Sequence, residues 1–386
     1  MDAMRRIPGR EASALPKTAA WAVAFALAVA AAVMLTVACS KSTSDFGSNA
    51  PIVGDDTVVF DPAKPADTLR FASLNMSIGF PVSQLLFTNM DDTAIAYTVL
   101  DSLYKRYQRG LPTERIKGMA KAITALNLDV VGLQEVMSFI RDGVRVNDFL
   151  PDLVQAIKDA GGPAYIAYSN PLNDTVLTGR LNGQHIEIKF HEGNGLLVKP
   201  EFQVLDSARF LYYDLLPIPT NAGTKTQRCL GYMKIKSPKG IIWQVYNTHL
   251  EVFEDFSSSQ ALQMRHIVDS LKTKNAGGTH YVPRIVIGDF NVDPNTGAHT
   301  IMQEGGFKDT FDSVSTGPGY SCCLAASALW NPDTTFSNRR IDFIFSRRII
   351  KALEHKVALD SALVTDAGVR LMATDHRMIW TRVVGQ

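Results

Sequence analysis

Net charge is the first thing this 386-residue sequence lacks: 39 lysines and arginines stand against 38 acidic residues. Residues 1–38 hold four of the basic and two of the acidic ones, which leaves 35 against 36 for the rest. A near-neutral chain exerts no strong overall pull on nucleic acid, although a local basic cleft is not excluded. Basic runs are missing too. Beyond residue 38 the adjacent pairs are Lys105-Arg106, Arg339-Arg340 and Arg347-Arg348. Cysteine is scarce, with four in all. With Cys39 set aside, Cys229, Cys322 and Cys323 can form one bridge at most. In an oxidising compartment Cys229 is expected to pair with one of the adjacent two, because a bond between neighbouring cysteines is strained. Three buried thiols are the alternative. No internal repeat is visible, which excludes an array built on a period of about 20–50 residues.

A long apolar run occurs at the N-terminus. Residues 18–38 are uncharged and rich in Ala, Val and Leu, and they end at Cys39. Arg5, Arg6, Arg10 and Lys17 precede them, against Asp2 and Glu11. A basic start, an apolar core and a small residue before the cut describe a secretory signal. The sequence L-T-V-A-C-S around Cys39 resembles a bacterial lipoprotein box, with Thr36 where Leu or Val is commoner. An uncleaved signal-anchor helix is the alternative, since the run is long enough to span a bilayer. Both readings place the bulk of the chain outside the cytoplasm. The expected organisation is a lipoprotein-type signal peptide over 1–38, a flexible tether over 39–67 rich in Ser, Asp, Pro and Gly, and one domain over 68–386. That length suffices for a large α/β domain with a full core.

Along the domain, Leu69 to Met76 reads as a strand with Asn75 at its end. Residues 94–107 suit a helix within a segment, 77–110, that has no evident task. Thr113 to Asn127 is an amphipathic helix with Ile116, Met119, Ala120, Ile123 and Leu126 on one face and Thr113 as its N-cap. Residues 129–136 form a buried strand with Glu135 near its end, and residues 147–161 a second helix. Residues 175–190 read as a hairpin. Its His185, Glu187, Lys189 and His191 form a solvated polar face in preference to a metal site. Residues 195–199 are another short buried strand. Phe210 to Pro219 is unusually apolar and is placed on the core, with an exposed substrate- or membrane-touching loop as the alternative. Residues 228–236 and 241–250 pair through the turn at 237–240. Residues 257–272 form a helix with Leu262 and Ile267 inward and His266 outward. Residues 340–346 form a strand carrying Asp342, and Met378 to Val383 is the last. Strand, helix, strand, then strand pairs suggest two sheets packed face to face with helices outside.

Residues 284–294, RIVIGDFNVDP, organise the chemistry. Ile285, Val286 and Ile287 read as a strand covered on both faces. With a period of two, Asp289 and Asn291 project to one side where that strand ends. Alone, GDFN also reads as an ordinary turn. The rest of the chain supplies partners: Asn75, Glu135, Asn247, His249, Asp342, Asp375 and His376 mostly fall at strand ends or just beyond. No serine or cysteine nucleophile occupies a comparable place. Acids, amides and imidazoles suit a hard, oxygen-binding cation and a phosphate. They do not suit structural zinc.

Six short motifs in order carry a resemblance: LN at Asn75, LQEV at Glu135, NTHL at Asn247 and His249, GDFN at Asp289 and Asn291, RIDFIF at Asp342, and TDHR at Asp375 and His376. Together they resemble the endonuclease/exonuclease/phosphatase superfamily, metal-dependent phosphoesterases similar to deoxyribonuclease I and neutral sphingomyelinase. The resemblance implies a four-layer α/β/β/α sandwich of two mostly antiparallel sheets flanked by helices. It implies Mg²⁺, with Mn²⁺ or Ca²⁺ as alternatives, on Glu135, with Asn75 and Asp375 close by. Asp289 would deprotonate the attacking water, and Asn291 and His249 would hydrogen-bond phosphoryl oxygens. His376, held by Asp342, would contact the phosphate or protonate the leaving oxygen. Asn247 and Arg228 would bind phosphate, the latter like the arginine of the nuclease branch.

The expected activity is hydrolysis of a phosphodiester, in a phospholipid or small phosphoester, by direct in-line attack of water. Its expected setting is extracytoplasmic, on a bacterial membrane through a lipidated Cys39, with a secreted or signal-anchored form as the alternative. A secreted or surface-tethered nuclease is the second reading, and it would want a basic groove. A non-enzymatic binding module has no need of the whole set of site residues.

Overall fold

Strand β1 (Asp67–Asn75) is flanked on one side by the last strand and on the other by β2 (Val130–Arg141). In the computed structural model the described residues are 61–80, 93–181, 184–212, 216–217, 225–252, 257–273, 282–324, 329–331 and 335–386. All fall within one compact unit, residues 54–386. The segments expected as signal peptide and tether, with Cys39, lie up to residue 60 outside them. Among the described residues no helix is long and apolar enough to cross a membrane.

Two sheets make the centre. The first has seven strands: β1, β2, β3 (Val144–Asp148), β4 (Ile166–Leu181), β5 (Gln184–Val198), β14 (Lys351–Ala358) and β17 (Met378–Gly385). Its order is β14-β17-β1-β2-β5-β4, with β3 on β2. The second has six: β6 (Gln203–Leu211), β9 (Cys229–Lys236), β10 (Ile242–His249), β11 (Arg284–Asp289), β12 (Lys308–Asp309) and β13 (Asp342–Arg347). Its order is β12-β13-β11-β10-β9-β6. Pairing is antiparallel except at β1–β2 and β10–β11. Two minor pairs, β7 (Leu216–Pro217) with β8 (Lys225–Thr226) and β15 (Leu363–Val364) with β16 (Arg370–Leu371), lie apart.

Three apolar cores define four layers. Between the sheets, Phe71, Val130 and Val198 meet Trp243, Ile285, Ile287 and Ile344. The outer face of the first sheet is covered by α1 (Thr93–Arg109), α2 (Pro112–Leu126) and α3 (Phe149–Asp159). The outer face of the second is covered by α4 (Ser257–Thr273) and α5 (Gly297–Glu304), and α6 (Thr310–Val314) packs beside β14. This is the expected sandwich of two mixed sheets flanked by helices. Ile285, Val286 and Ile287 are wholly buried, as a strand covered on both faces must be.

Several local expectations change. Helix α2 starts at Pro112, whose missing N–H suits a first helical position. Thr113 is therefore inside the helix, and its hydroxyl accepts from Asn147 Nδ2 at 3.3 Å. The hairpin is longer than its polar face suggests, because residues 195–198 continue β5. Along that face Lys189 pairs with Glu187 at 3.0 Å, as solvated neighbours do. On α4 the buried positions are Gln260, Gln263, Met264, Ile267, Val268 and Leu271, and Leu262 points outward. The inner stripe contains two glutamines: Gln263 accepts from Glu251 N at 3.1 Å and Gln260 donates to Glu251 O at 2.6 Å. Of the apolar stretch at 210–219, Tyr212 is buried with its hydroxyl on Thr248 at 2.8 Å, while Leu211 is exposed; residues 213–215 and 218–219 lie outside the described residues.

The cysteine expectation is also corrected. Cys229 is an unpaired thiol under β9, contacting Asn194 Nδ2 at 3.8 Å, and burial pushes its pKa up to about 12. The bridge joins Cys322 to Cys323. Cys229 is held in the second sheet opposite Leu211, and Cys322 is bridged to Arg339 and His376.

A buried polar knot ties α6 to β13 and β14. Thr310 Oγ1 donates to Ile344 O at 2.9 Å and so accepts from His355 Nδ1, also at 2.9 Å. Burial holds His355 down at about 4. An unfolded histidine titrates near 6.5, so below that pH the unfolded chain binds a proton the native state refuses. The stability from neutral His355 is complete above about pH 6.5 and is lost as pH falls toward 4. A shift of this size is worth about 3 kcal/mol. His355→Leu should therefore remove about that much of the stability difference between pH 7 and pH 4, as read by urea unfolding at the two pH values. An unchanged difference would show that His355 is not the titrating group.

Candidate active site at the seam of the two sheets

The ends of β1, β10, β11 and β13 meet a bulge midway along β2, and each brings a side chain. Asn75 closes β1. Its Nδ2 donates to Glu135 Oε1 at 3.1 Å and to Asp289 Oδ2 at 3.0 Å, so one amide spans the carboxylates of both sheets. Its Oδ1 accepts from Ser77 N at 3.0 Å, which fixes the rotamer. Glu135 sits where the β2–β5 register slips between Leu133 and Val136, with φ of 53°. A non-glycine residue in this left-handed region costs about 1–3 kcal/mol. The bulge turns the Glu135 carboxylate into the cleft, where Oε2 accepts from Ile78 N at 2.7 Å.

Asp289 ends β11 and is almost fully buried. His249 Nε2 lies 3.6 Å from its Oδ2, and His376 Nε2 lies 3.7 Å from the same oxygen. His376 Nδ1 meets Asp342 Oδ2 at 2.9 Å. Asn291, with φ of 53°, donates its backbone N–H to Asp289 Oδ1 at 3.0 Å, and its Nδ2 donates to Leu250 O at 3.0 Å. Asp375 faces Glu135 closely enough to raise its pKa. Thr374 secures this turn by donating to Asn75 O and accepting from His376 N.

Two expected residues stand differently. Asn247 is wholly buried between the sheets. Its Nδ2 donates to Leu133 O and Gly195 O, both at 2.8 Å, and its Oδ1 accepts from Gln134 Nε2 at 2.7 Å. With its amide spent on the first sheet, it has no donor for a phosphate and acts as a cross-sheet clamp. Gly132 lies under it, where a Cβ would come within 2.8 Å of Asn247 Oδ1 and 2.7 Å of Ile287. Arg228 lies beside the site rather than in its centre. Its Nη2 is 3.8 Å from Glu251 Oε1, and its Nε has no hydrogen-bond partner.

The electrostatics separate the two imidazoles. His249 is pushed well below its ordinary value by burial, and then by Arg228 and His376. Burial alone would lower His376 as well, but Asp342 and Asp289 outweigh it and raise the ring well above its ordinary value. At neutral pH His249 is neutral and His376 is an imidazolium. Asp289 is lifted to about 6 by burial and Asp342, and Glu135 to about 7 by burial and Asp375. Buried oxygens Oδ1 of Asp342 and Oδ1 of Asp375 have no hydrogen-bond partner. Repelling, half-satisfied carboxylates of this kind fit a divalent cation. One candidate donor group, Asp289, Asp342 and His376, has its ligand atoms within 4.8 Å of one another. Glu135, Asn75 and Asp375 line the adjoining side.

Some site residues had no reading in the sequence. Arg115 is wholly buried beneath the acids, donating to Met76 O, Ser77 O and Ala373 O at 3.0–3.4 Å. The signal was present: Arg115 lies four residues before Met119, on the buried stripe of α2. A charge on such a stripe needs a partner. Ser321 accepts from the backbone N–H groups of Ile341 and Asp342 at 3.2 and 3.1 Å, and nothing local in the sequence marks it.

The profile of the Endonuclease/Exonuclease/phosphatase family matches residues 108–376. The chain belongs to this family, and it is a phosphoesterase- or nuclease-type hydrolase. Among solved structures it is similar to a family member from Bacteroides thetaiotaomicron, 15% identical over 84% of this chain and 97% of that one, with a TM-score of 0.56. A mannosyl-6-phosphatase from Bacteroides thetaiotaomicron VPI-5482 is also 15% identical, over 82% and 99%, with a TM-score of 0.52. A Bacteroides vulgatus member is 18% identical over 82% and 98%, with a TM-score of 0.51. At these identities the likeness is one of fold. No curated protein matches.

Proposed function

We propose that the chain is a divalent-metal-dependent phosphodiesterase that hydrolyses a phospholipid or another small phosphoester outside the cytoplasm, by direct attack of water. The observation that carries this reading is the convergence of two imidazoles on one buried carboxylate: His249 Nε2 and His376 Nε2 lie 3.6 and 3.7 Å from Asp289 Oδ2, and Asp342 holds the far side of the His376 ring at 2.9 Å. Asp289 takes the proton of the attacking water. Neutral His249 and Asn291 hold the phosphoryl oxygens as charge develops. His376 gives its proton to the departing oxygen, and Asp342 keeps the ring oriented. Magnesium, or manganese or calcium, held by Glu135 with Asn75 and Asp375 would neutralise charge on the phosphate. Arg115 sits behind that cluster and keeps two buried acids from repelling each other unchecked.

The surroundings favour a small or lipid ester over a polynucleotide. On the first sheet, between β2, β4, β5 and α3, lies a hollow of about 320 Å³ bounded by Met137, Leu150, Pro151, Pro171, Asp148 and Glu192, with no lysine or arginine in its lining. Polynucleotide grooves want cations along the backbone path. Three residues of the adjacent basic pairs are already engaged: Arg340 is buried on Asp309, Arg347 is buried with Nη1 on Gly305 O at 3.0 Å, and Arg339 pairs with Asp293 at 3.0 Å. The setting outside the cytoplasm, at a membrane through Cys39, rests on the N-terminal sequence.

The test is turnover of bis-p-nitrophenyl phosphate, sphingomyelin and plasmid DNA by the full chain with Mg²⁺ or EDTA. At least one of the first two should be hydrolysed, and EDTA should abolish it. Glu135→Gln should lower activity at a fixed low Mg²⁺ concentration by at least the roughly 10–100-fold that loss of an outer-shell partner costs, with partial recovery at high Mg²⁺. Cleavage of DNA alone would move the assignment to a nuclease. EDTA-insensitive turnover would remove the metal.

A further inference from the structure

The segment 321–324 runs past the site as a short ribbon bonded on both sides. Cys322 N donates to Arg339 O at 3.1 Å, Leu324 N to Asp375 O at 2.9 Å, and Arg377 N to Ser321 O at 2.7 Å. These bonds press Cys322 against the turn that carries His376. Cys322 Sγ lies 3.6 Å from His376 Nε2, and both residues are buried. Cys323 is half-buried, so the pair has a path to solvent. The two sulfurs are joined to each other. Donor atoms of Cys322, Cys323 and His376 all lie within 4.8 Å of one another, a second cluster beside the oxygen-rich one.

Two thiolates and an imidazole form a soft donor set. Zinc binds sulfur at about 2.3 Å and nitrogen at about 2.0–2.1 Å, so a tetrahedral centre separates S from N by about 3.6 Å. Cys322 Sγ and His376 Nε2 already stand at that separation. The far side of the ring is prepared too. His376 Nδ1 meets Asp342 Oδ2 at 2.9 Å, the carboxylate–imidazole arrangement that orients a metal-binding histidine.

We propose that reduction of the Cys322–Cys323 disulfide opens a site for a soft divalent ion, zinc or cadmium, on both sulfurs and His376 Nε2, and that filling it withdraws His376 from phosphoryl chemistry. The reductant is a dithiol. It closes to its own disulfide, the Cys322–Cys323 bond takes two electrons and two protons, and two thiols result. Metal binding then releases the thiol protons and the Nε2 proton to solvent. The binding half stands without the activity assigned above, and the inhibition half rests on it.

The full chain is reduced with a dithiol, freed of it by gel filtration under argon, and titrated with Cd²⁺ while thiolate-to-metal charge-transfer absorption is recorded. The reduced protein should take one equivalent with the band, and the oxidised protein none. Cys229→Ser should leave the titration unchanged. Cys323→Ser and the Cys322→Ser/Cys323→Ser pair should abolish tight binding, and His376→Ala should weaken it at least tenfold, with near-ultraviolet circular dichroism reporting that each variant folds. Activity on an ester with an alkoxide leaving group, which needs the His376 proton, should fall in step with occupancy. No band in reduced protein, equal affinity in His376→Ala, or a band surviving in the double variant overturns the site. A full titration without loss of an existing activity overturns the inhibition alone. A chain inactive on every ester still has its binding decided by the absorption.

Discussion

Asp289→Asn should lower kcat on bis-p-nitrophenyl phosphate by about 10³-fold or more, near the upper part of the range for losing a general base. The substitution keeps the shape and removes the charge. Stability should move little, and in a direction that depends on pH. Asp289 is lifted to about 6 from an ordinary value of 3.8, so its folded-state pKa lies above its unfolded one. Its contribution to stability is whole below about pH 4 and is lost as pH rises through 6, a penalty of about 3 kcal/mol once the group is ionised. The amide never pays that penalty, but it sets an NH₂ against one of two donors, Asn75 Nδ2 or Asn291 N, at a cost of about 1–3 kcal/mol. Relative to the parent, the variant should therefore gain melting temperature between pH 4 and pH 6 and level off above. Retained activity in a folded Asp289→Asn variant would falsify the role given to this carboxylate.

His376→Ala should discriminate between leaving groups. A p-nitrophenolate departs readily without a proton, so the loss there should stay within about tenfold. An alkoxide must be protonated as it leaves, and its hydrolysis should fall by about 10²–10⁴-fold. Equal losses on both esters would make His376 a binding residue instead. Asp342→Asn tests the source of the ring's charge. Asp342 is the foremost group raising His376, and without it burial pulls the ring down. His376 must be protonated to act, so the alkaline limb of the pH–rate profile should move to lower pH in Asp342→Asn, and the acidic limb should move down with it, because Asp342 also helps to lift Asp289. Both measurements use kcat, because the substrate-bound ionisations are the relevant ones.

The strands and most of the site were legible because their causes are local. Ile285, Val286 and Ile287 announce a covered strand, and the motifs at His249, Asp289 and Asp342 fall at the ends of strands that meet, whereas Glu135, expected near a strand end, stands midway along β2 because the strand continues to Arg141. What escaped depended on partners far along the chain. Asn247 shares a strand face with His249, and only the approach of the other sheet at Gly132 shows that its amide is already occupied. Arg115 could have been noticed as a charge on an apolar stripe, but its reason lies beyond β1 and before β17. The left-handed conformation of Glu135 follows from a register slip that no local propensity encodes. The cysteine pairing failed because covalent strain alone was weighed, while Cys229 is a buried thiol in the second sheet and the neighbouring pair joins itself.

The first and last strands of the domain run side by side in opposite directions, Asp67 opposite Gly385, and Asp61 N donates to Gln386 Oε1 at 3.0 Å. Asn75 and His376 occupy the opposite ends of those same two strands. Anything fused before residue 61 or after residue 386 is thus attached at the pole remote from the reaction mouth. Stitching the two ends together and opening a surface turn such as Ser237–Gly240 should yield a permuted enzyme whose mouth is undisturbed.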